Sequence, residues 1–379
     1  METTLASSSV VQKWRYDYYQ EYVRKTGFSP YMGKSQNNII RIVNDLLNEA
    51  GKTINIPLLM ALRGSGVTGS QTLVGNEEDL NNFNDQVSVD WKRNAVVVPK
   101  STSAFTGINL WNAAKDANKT WSARTLKNDI VDTFGSIIIP AATTGGFDTS
   151  VSYAAATAAQ RNAYLVANSD RILMGALAAN TVSGVWATAA ALVDTTNDRA
   201  TTAMAELAKR MAENTGPDAT GGVSVSTRPA ITPYTTDDGV YSGYVMFCAP
   251  NTFRDIANDT AMVSANRDAR AREGQAYKDN PLFMSGDLLK DGIIYRKIPE
   301  LRRLTFSNGT NNVDRNFLCG QAGITLGWGQ MPKPTEKKED DYGFKPGTGI
   351  EELRGQKKTS YQGTNYGIVE MLTASVDDA

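Results

Sequence analysis

The chain has 379 residues, with 39 Lys and Arg against 40 Asp and Glu, two cysteines and no histidine. The absence of histidine excludes Ser-His-Asp and Cys-His catalysis and histidine-ligated metal sites, and two cysteines cannot form a four-cysteine site. A net charge of −1 gives no general attraction to nucleic acid or to anionic membranes. No apolar stretch is long enough to span a bilayer, and the first thirty residues carry no secretory signal pattern. We therefore expect a folded protein with two buried thiols in a reducing compartment.

Residues 1–50 are predicted to form an arm with two short helices, because their apolar faces are too narrow for an independent core. The first helix covers 11–26, with Val11, Trp14, Tyr18 and Tyr22 at helical spacing. The second would begin at Ser35 and end at Gly51, on an apolar stripe of Ile39, Ile40, Val43, Leu46 and Leu47.

Residues 51–104 are predicted to form a β-hairpin that projects from the body. Thr53–Leu59 is one expected strand, and Pro57 favours a sheet edge. The other strand alternates Val87, Val89 and Trp91 with polar residues. Between the strands lies a long polar excursion that contains glycine-rich and acidic segments.

The remaining chain indicates an α+β fold. A long helix, or two helices meeting near Asn118, is expected within 105–138. The other predicted helices are Tyr153–Ala179, Arg199–Asn214, Asn251–Asn258 and Ala261–Tyr277. The predicted strands are Tyr244–Cys248, Ile293–Ile298, Phe317–Cys319, Ile324–Gly327 and Tyr366–Thr373, with Glu336–Asp341 as a charged connector. This order does not alternate strand and helix, so a parallel β-α-β architecture is not expected.

Several motifs could carry chemistry, and each has a simpler structural interpretation. Gly64–Ser70 keeps the Gly-x4-Gly spacing of a phosphate loop but has Ser70 where the essential lysine belongs, which favours a turn. The acidic clusters could bind a divalent ion or hydrolyse glycosides without histidine, although solvated surface or salt bridges between subunits are favoured. They are Glu77-Glu78-Asp79, Asp237-Asp238 and Glu339-Asp340-Asp341. Arg267, Arg270 and Arg272 share a predicted helix with Asp268 and Glu273, and mixed charges on one helix are typical of a solvated or subunit-facing surface. We expect no catalytic residues, no cofactor and no metal.

Four segments resemble one family when their order and spacing are taken together. The first is the glycine-rich and acidic Gly64–Asp90, and the second is the Ala-Pro-x-x-Phe-Arg-Asp motif within Val245–Asp259. The third is Asn280–Ile294, which begins with Asn-Pro-Leu-Phe and contains Asp-Gly near its end. The fourth contains three motifs in order: Asp341-Tyr342-Gly343, Gly355-Gln-Lys-Lys358 and Tyr366-Gly367-Ile368-Val369. The chain resembles a tailed-bacteriophage major capsid protein of the Hong Kong 97-type fold, in the branch grouped with large virion-polymerase podophages.

The resemblance implies a division of labour along the chain. Residues 1–50 would be the N-terminal arm, 51–104 the extended hairpin loop, 105–140 with 300–379 the peripheral domain and its spine helix, and 141–299 the axial domain. Assembly contacts are expected from the arm and the hairpin loop: Trp14, Tyr18, Tyr22, Gly64, Gly66, Gly69, Glu77 and Glu78.

The implied function is a shell of hexamers and pentamers that encloses double-stranded DNA in an icosahedral phage head, assembled in the bacterial host cytoplasm. The implied partners are other copies of the chain, a separate scaffolding protein, a portal protein, a possible decoration protein and the packaged DNA through non-specific contacts, with no membrane. Two alternatives remain open. One is a histidine-free carbohydrate-active enzyme that uses paired carboxylates, and the other is an encapsulin-like shell outside phages.

Overall fold

The computed structural model describes residues 27–47, 51–59, 62, 66–77, 82–106, 109–141, 146–213, 230–235, 242–265, 287–337 and 341–378. The strands in chain order are β1 Met32–Gly33, β2 Ile40–Val43, β3 Thr53–Leu59, β4 Asn82–Ser88, β5 Asp90–Val97, β6 Ile137–Ile139, β7 Thr149–Val151, β8 Ile172–Met174, β9 Tyr234–Thr235, β10 Ser242–Cys248, β11 Leu288–Lys290, β12 Ile293–Lys297, β13 Phe306–Ser307, β14 Asn312–Cys319, β15 Ile324–Lys337, β16 Gly347–Lys358, β17 Ser360–Tyr361, β18 Thr364–Asn365 and β19 Ile368–Ser375. The α-helices are α1 Lys100–Ala104, α2 Leu110–Phe134, α3 Ala158–Ala167, α4 Trp186–Ala191, α5 Thr202–Glu213 and α6 Pro250–Asn258. Short 3-10 helices cover Ser29–Tyr31, Asp45–Leu47, Ala178–Thr181, Pro299–Leu304 and Asp341–Gly343.

Two mixed sheets organise the described part of the chain. The first has the strand order β1-β2-β15-β16-β5, and the second has β11-β12-β10-β14-β19-β8 with β13 and β9 attached at its sides. Helices α5 and α6 pack on one face of the second sheet, where Met204, Ala208 and Ile256 meet Met246 and Leu318. This arrangement confirms the predicted mixed α+β fold.

Helix α2 is a single helix that packs along the first sheet. It begins where the Asn109 side chain accepts a hydrogen bond of 3.1 Å from the Asn112 amide, which satisfies a free N–H of the first turn. Its first half contacts β16 through polar groups: Asn118 Nδ2 donates to the Thr348 carbonyl, and Ser122 Oγ donates to Glu352. In its last turns, the apolar side chains of Ile130, Val131 and Phe134 are buried in the main core.

The predicted helix from Ser35 to Gly51 is wrong. Ile40–Val43 instead forms strand β2, which pairs in parallel with Ile324–Gly327 of β15. β-Branched residues fit a pleated sheet, and the pairing places Ile39 and Ile40 in the core. Phe28 and Tyr31 enter the same core, so residues 27–43 are packed into the body. The predicted helix at 11–26 lies outside the described residues.

The predicted hairpin is confirmed as an antiparallel pair. Strand β3 coincides with the expected Thr53–Leu59 and pairs with β4 from Thr53↔Ser88 to Leu59↔Asn82. The chain bends at Val89 and continues as β5, which pairs with β16 at the edge of the first sheet. The hairpin is therefore connected directly to the first sheet.

The predicted helix Tyr153–Ala179 is too long. Helix α3 ends at Ala167, where Nδ2 of the Asn168 side chain donates to the carbonyls of Tyr164 and Gly363. The chain then enters strand β8, which pairs in parallel with β19. The apolar residues Ile172–Met174, which lie within that predicted helix, are instead a buried strand, because they pack against elements that are distant in sequence.

Candidate assembly surfaces

The base of the hairpin lies on a pair of glycines. Gly327 of β15 and Gly355 of β16 are cross-strand partners. A Cβ atom built on Gly327 would lie 2.6 Å from Cδ1 of Ile54, and one built on Gly355 would overlap the carbonyl oxygen of Ser88. Gly355 thus leaves room for the hairpin backbone at Ser88 to lie directly against the sheet, and Gly327 leaves room for the Ile54 side chain.

A buried ion pair joins the hairpin to the body beside these glycines. Asp85 of β4 pairs with Lys357 of β16 and accepts a 3.2 Å hydrogen bond from the Ser360 amide. Lys357 Nζ also donates to the Asp148 carbonyl at 2.7 Å. Burial raises the pKa of the Asp85 carboxyl, although the nearby Lys357 ammonium acts in the opposite direction. The ammonium therefore links the hairpin strand, β16 and the loop that precedes β7.

The described part of the hairpin tip, residues 66–77, is an open turn region. Gly66 and Gly69 both have φ of 65°, a left-handed conformation that favours glycine, and no atom lies within 4 Å of a Cβ built on either. Glu77 Oε2 accepts a 2.6 Å hydrogen bond from the Gly75 amide. Leu73 and Val74 are exposed beside them. The predicted assembly residues Gly66, Gly69 and Glu77 thus lie together on a solvent-facing tip.

The other predicted assembly residues cannot be located in this way. Trp14, Tyr18, Tyr22, Gly64 and Glu78 lie outside the described residues. The same is true of Asp79, the Asp237-Asp238 pair, Glu339, Asp340 and the arginines at 267, 270 and 272.

One face of the first sheet is partly apolar and exposed along β5. Lys92 pairs with Asp129 of α2, so the alternate side chains Trp91, Arg93 and Val97 project from the opposite face. Trp91 and Val97 are each about half exposed, at 50% and 52%. The sequence alone predicts that Trp91 lies on one face of a strand, but not which face, because nothing in a single strand indicates which side a helix covers.

A left-handed turn lies at the end of the first sheet, between β15 and β16. Asp341, Tyr342 and Gly343 are consecutive left-handed residues, with φ of 51°, 53° and 77°. Non-glycine residues rarely adopt this conformation, so two adjacent ones carry a conformational cost. Tyr342 is fully exposed, and the neighbouring Phe344 carbonyl accepts a 3.0 Å hydrogen bond from the Lys100 amide of α1. Phe105, just after α1, is also almost fully exposed.

Buried cations cap the C-terminal end of helix α2. Arg315 Nη1 donates to the Gly135 carbonyl at 2.9 Å, and Lys358 Nζ donates to the Ser136 carbonyl at 3.1 Å. Cations are favourable at this end of a helix because its carbonyls carry partial negative charge. Arg315 is also paired with Glu370. Burial lowers the pKa of Lys358 to about 8, with Glu370 opposing that shift. The helix is thereby fixed to the junction of the two sheets.

The described residues of the other candidate sites have ordinary structural roles. Glu77 stabilises its own turn, and Asp341 pairs with Lys345 at 3.2 Å on the surface. Gly66–Ser70 is an exposed turn, and the described part of this segment contains no helix that could bind a phosphate. Burial raises the pKa of both the Cys248 and the Cys319 thiols, which is the opposite of what an activated nucleophile requires.

Across the described ranges, no group of three or more histidine, cysteine, aspartate or glutamate side chains is placed to hold a metal ion. In the same ranges no helix is both long enough and apolar enough to cross a membrane.

Comparison with known proteins identifies the class to which this fold and these surfaces belong. The family model described as phage capsid protein matches residues 2–377. The capsid subunit of cyanophage Pam1 is 33% identical, with a TM-score of 0.84 and 100% of both chains covered. The chain therefore belongs to the phage capsid protein family. The prediction of a bacteriophage major capsid protein is confirmed.

More distant capsids share the fold. The capsid protein of Ralstonia phage GP4 is 19% identical over 100% of both chains, with a TM-score of 0.72. That of Helicobacter pylori bacteriophage KHP30 is 13% identical, with a TM-score of 0.64 and coverage of 97% of this chain and 95% of that one. No curated protein matches the chain. The family and the capsid that is 33% identical consist of structural proteins. This finding does not favour the alternative that the chain is a carbohydrate-active enzyme.

Proposed function

We propose that this chain is the shell subunit of a tailed-phage head, with a Hong Kong 97-type fold, and that it assembles into hexamers and pentamers around double-stranded DNA. The observation that carries the proposal is the match to the cyanophage Pam1 capsid subunit over the full length of both chains. A shell subunit needs surfaces that fit other copies of itself, and contacts between unlike surfaces generate closed rings.

The division of the chain follows the same proposal. Of residues 1–50, the predicted arm, 27–43 pack into the subunit's own core, so the contact with a neighbouring subunit is assigned to the residues before them. Residues 51–104 form the hairpin that reaches over the next subunit. Residues 105–140 and 300–379 form the peripheral domain, with α2 as its spine. Residues 141–299 form the axial domain at the centre of each hexamer or pentamer. The exposed hairpin tip and the packing of α2 on the first sheet support this division.

The hairpin tip and the outer face of β5 are the contact surfaces that we propose between subunits. The tip presents exposed Leu73 and Val74 beside acidic Glu77. The β5 face presents Trp91 and Val97 beside Arg93. Apolar contact at the centre with opposite charges around it is the usual composition of a specific interface.

The proposed partners are a separate scaffolding protein, a portal protein, a possible decoration protein and the packaged DNA. A net charge near zero supports only weak non-specific contact with DNA, which allows the genome to leave the shell. A strongly basic interior surface in the assembled particle would contradict that part of the proposal.

The test is to express the chain in bacteria with and without the neighbouring phage genes and to examine the products by sedimentation and electron microscopy. Closed shells, or free hexamers and pentamers, are expected when the scaffolding gene is present. A chain that remains monomeric in both cases would refute the proposed function.

A further inference from the structure

The hairpin is attached to the body at its base alone, within the described residues. On β3, Ile54 is buried, whereas Asn55, Pro57 and Leu59 are exposed. The described tip, residues 66–77, is exposed apart from the half-buried Val67. The direction of the whole projection therefore depends on the contacts near Ile54, Asp85 and the Val87–Val89 segment.

These contacts form two separate attachments. The first is apolar: Ile54, Val87 and Val89 are buried over the paired glycines Gly327 and Gly355. The second is polar: Asp85 is bound by the Lys357 ammonium and the Ser360 amide. The apolar attachment rests on β15 and β16, and the polar one on the end of β16 and the residues directly after it. Both hold the same face of strand β4 at points two residues apart, because Asp85 and Val87 point in the same direction.

Two attachments at separate points along one face of a strand fix its direction as well as its position. A strand of seven residues is about 23 Å long. A small rotation at the base therefore becomes a displacement of several ångströms at the tip. An apolar contact alone would permit sliding, whereas a buried ion pair has one favourable geometry and is costly when only one partner remains.

We propose that the Gly327–Gly355 pair and the Asp85–Lys357 ion pair together set the angle of the hairpin on the body, and so determine where its tip meets a neighbouring subunit. The first part concerns the single chain. The second part rests on the proposed shell function. Asp85, Lys357 and Gly355 are thus positioning residues for assembly, although none of them is exposed enough to contact another subunit.

The substitution Gly355→Ala tests the apolar attachment. Its methyl group would overlap the Ser88 carbonyl, so the hairpin must move. The matched control is Gly347→Ala on the same strand, where the new Cβ would be 3.6 Å from its nearest neighbour, the Val96 carbonyl oxygen. Asp85→Asn tests the polar attachment, since it removes the charge and retains the size of the side chain.

Hydrogen exchange of the unassembled full-length subunit is the first measurement. In Gly355→Ala and in Asp85→Asn, we expect exchange of amides in 53–59 and 82–88 to rise by about tenfold or more, with β14 and β19 unchanged. Gly347→Ala should resemble the natural chain. An equal rise throughout the chain, or no rise in the hairpin, would overturn the proposal.

Particle size is the second measurement. Co-expressed with scaffold, Gly355→Ala and Asp85→Asn should form shells of altered diameter or open sheets, while Gly347→Ala forms the same shells as the natural chain. Normal shells from both variants would overturn the assembly part of the proposal. If the natural chain itself formed no shells, the proposed function would fail, and the exchange experiment would still decide whether the junction sets the hairpin angle.

Discussion

Arg315 and Glu370 form an ion pair with no solvent exposure on either side chain, and 2.6 Å separates Arg315 Nε from Glu370 Oε1. The two residues lie on the neighbouring strands β14 and β19, and Arg315 also caps the end of α2. A buried pair of this kind depends on both partners, because each charge left alone would be far from water. The ion pair therefore connects helix α2 to the second sheet, and removing either partner is expected to destabilise the subunit.

Glu370→Gln is predicted to destabilise the subunit strongly, since it leaves the Arg315 charge uncompensated. Loss of one partner of a buried pair costs about 3–5 kcal/mol. Urea unfolding of the unassembled subunit measures this change. The control is Asp341→Asn, which breaks the exposed pair with Lys345 and should cost less than about 1 kcal/mol. Similar losses in the two variants would contradict the prediction.

Lys358 is predicted to make the free energy of unfolding increase with pH in the alkaline range. Its pKa is about 8 in the folded chain, lowered by burial from an ordinary value of 10.5. Between these pH values the unfolded chain binds more protons, so the free energy of unfolding contributed by this group rises with pH. Below pH 8 the folded chain bears the full cost of the buried charge.

The measurement is the difference in unfolding free energy between the natural chain and the Lys358→Met variant. Taking this difference removes the contributions of the other titrating groups, because both chains share them. This difference should shift in favour of the natural chain as the pH rises from 8 to 10.5, with a slope of up to about 1.4 kcal/mol per pH unit. A difference that is independent of pH, or that shifts in the opposite direction, would show that Lys358 is not buried in its charged form.

How far the sequence predicts the fold can be judged from β2 and β3. Thr53–Leu59 is a strand on its local pattern alone, and it is one in the structure. The Ile39–Val43 region fits a helical stripe and a strand equally well, because its apolar residues are dense. Its conformation is decided by pairing with β15, almost 300 residues later, which a local pattern cannot show.

Strand β16 shows the opposite limitation. Its sequence, Gly347–Lys358, contains three glycines and several charged residues, and it gave no strand signal. Nevertheless Glu352, Arg354, Lys357 and Lys358 are buried in it. Arg354 pairs with Asp129 of α2 and with Glu352, and Lys357 pairs with Asp85 of the hairpin. Charged residues are usually exposed unless they are paired, and here the partners come from distant parts of the chain, so the local sequence could not show that these residues are buried.

Thr157→Ala is predicted to weaken the start of helix α3. Thr157 Oγ1 accepts from the Gln160 amide at 3.3 Å, and Gln160 Oε1 accepts from the Thr157 amide at 2.9 Å, which together form a capping box. Loss of the hydroxyl should cost about 1 kcal/mol in urea unfolding, whereas Thr157→Ser should be nearly neutral. Equal stability of the alanine and serine variants would contradict this role.

Cys248 and Cys319 are predicted to be unreactive in the folded subunit, because both are buried and burial raises the pKa of each thiol. Ellman's reagent should label them only as fast as the chain unfolds, and both should react at once in urea. Rapid labelling of either thiol in the native subunit would contradict this and would reopen the question of a reactive cysteine.

Tyr342 is predicted to contact a neighbouring subunit, although its left-handed backbone conformation lowers the stability of its own subunit. Tyr342→Gly should leave the subunit at least as stable, with a gain of up to about 1 kcal/mol, because glycine adopts the left-handed conformation freely. Shell yield should fall, since the exposed ring is lost. Tyr342→Phe keeps the ring and should assemble normally. Normal shell yield from the glycine variant would show that this turn is not an assembly surface.

The most direct test of the account is a cryo-electron-microscopy reconstruction of particles formed by the natural chain with its scaffold. We expect closed shells with five- and six-subunit clusters, in which each subunit retains the hairpin angle set at Gly355 and Asp85 and places its tip on the β5 face of a neighbour. Particles in which the hairpin folds back onto its own subunit, or the absence of closed shells, would contradict the account.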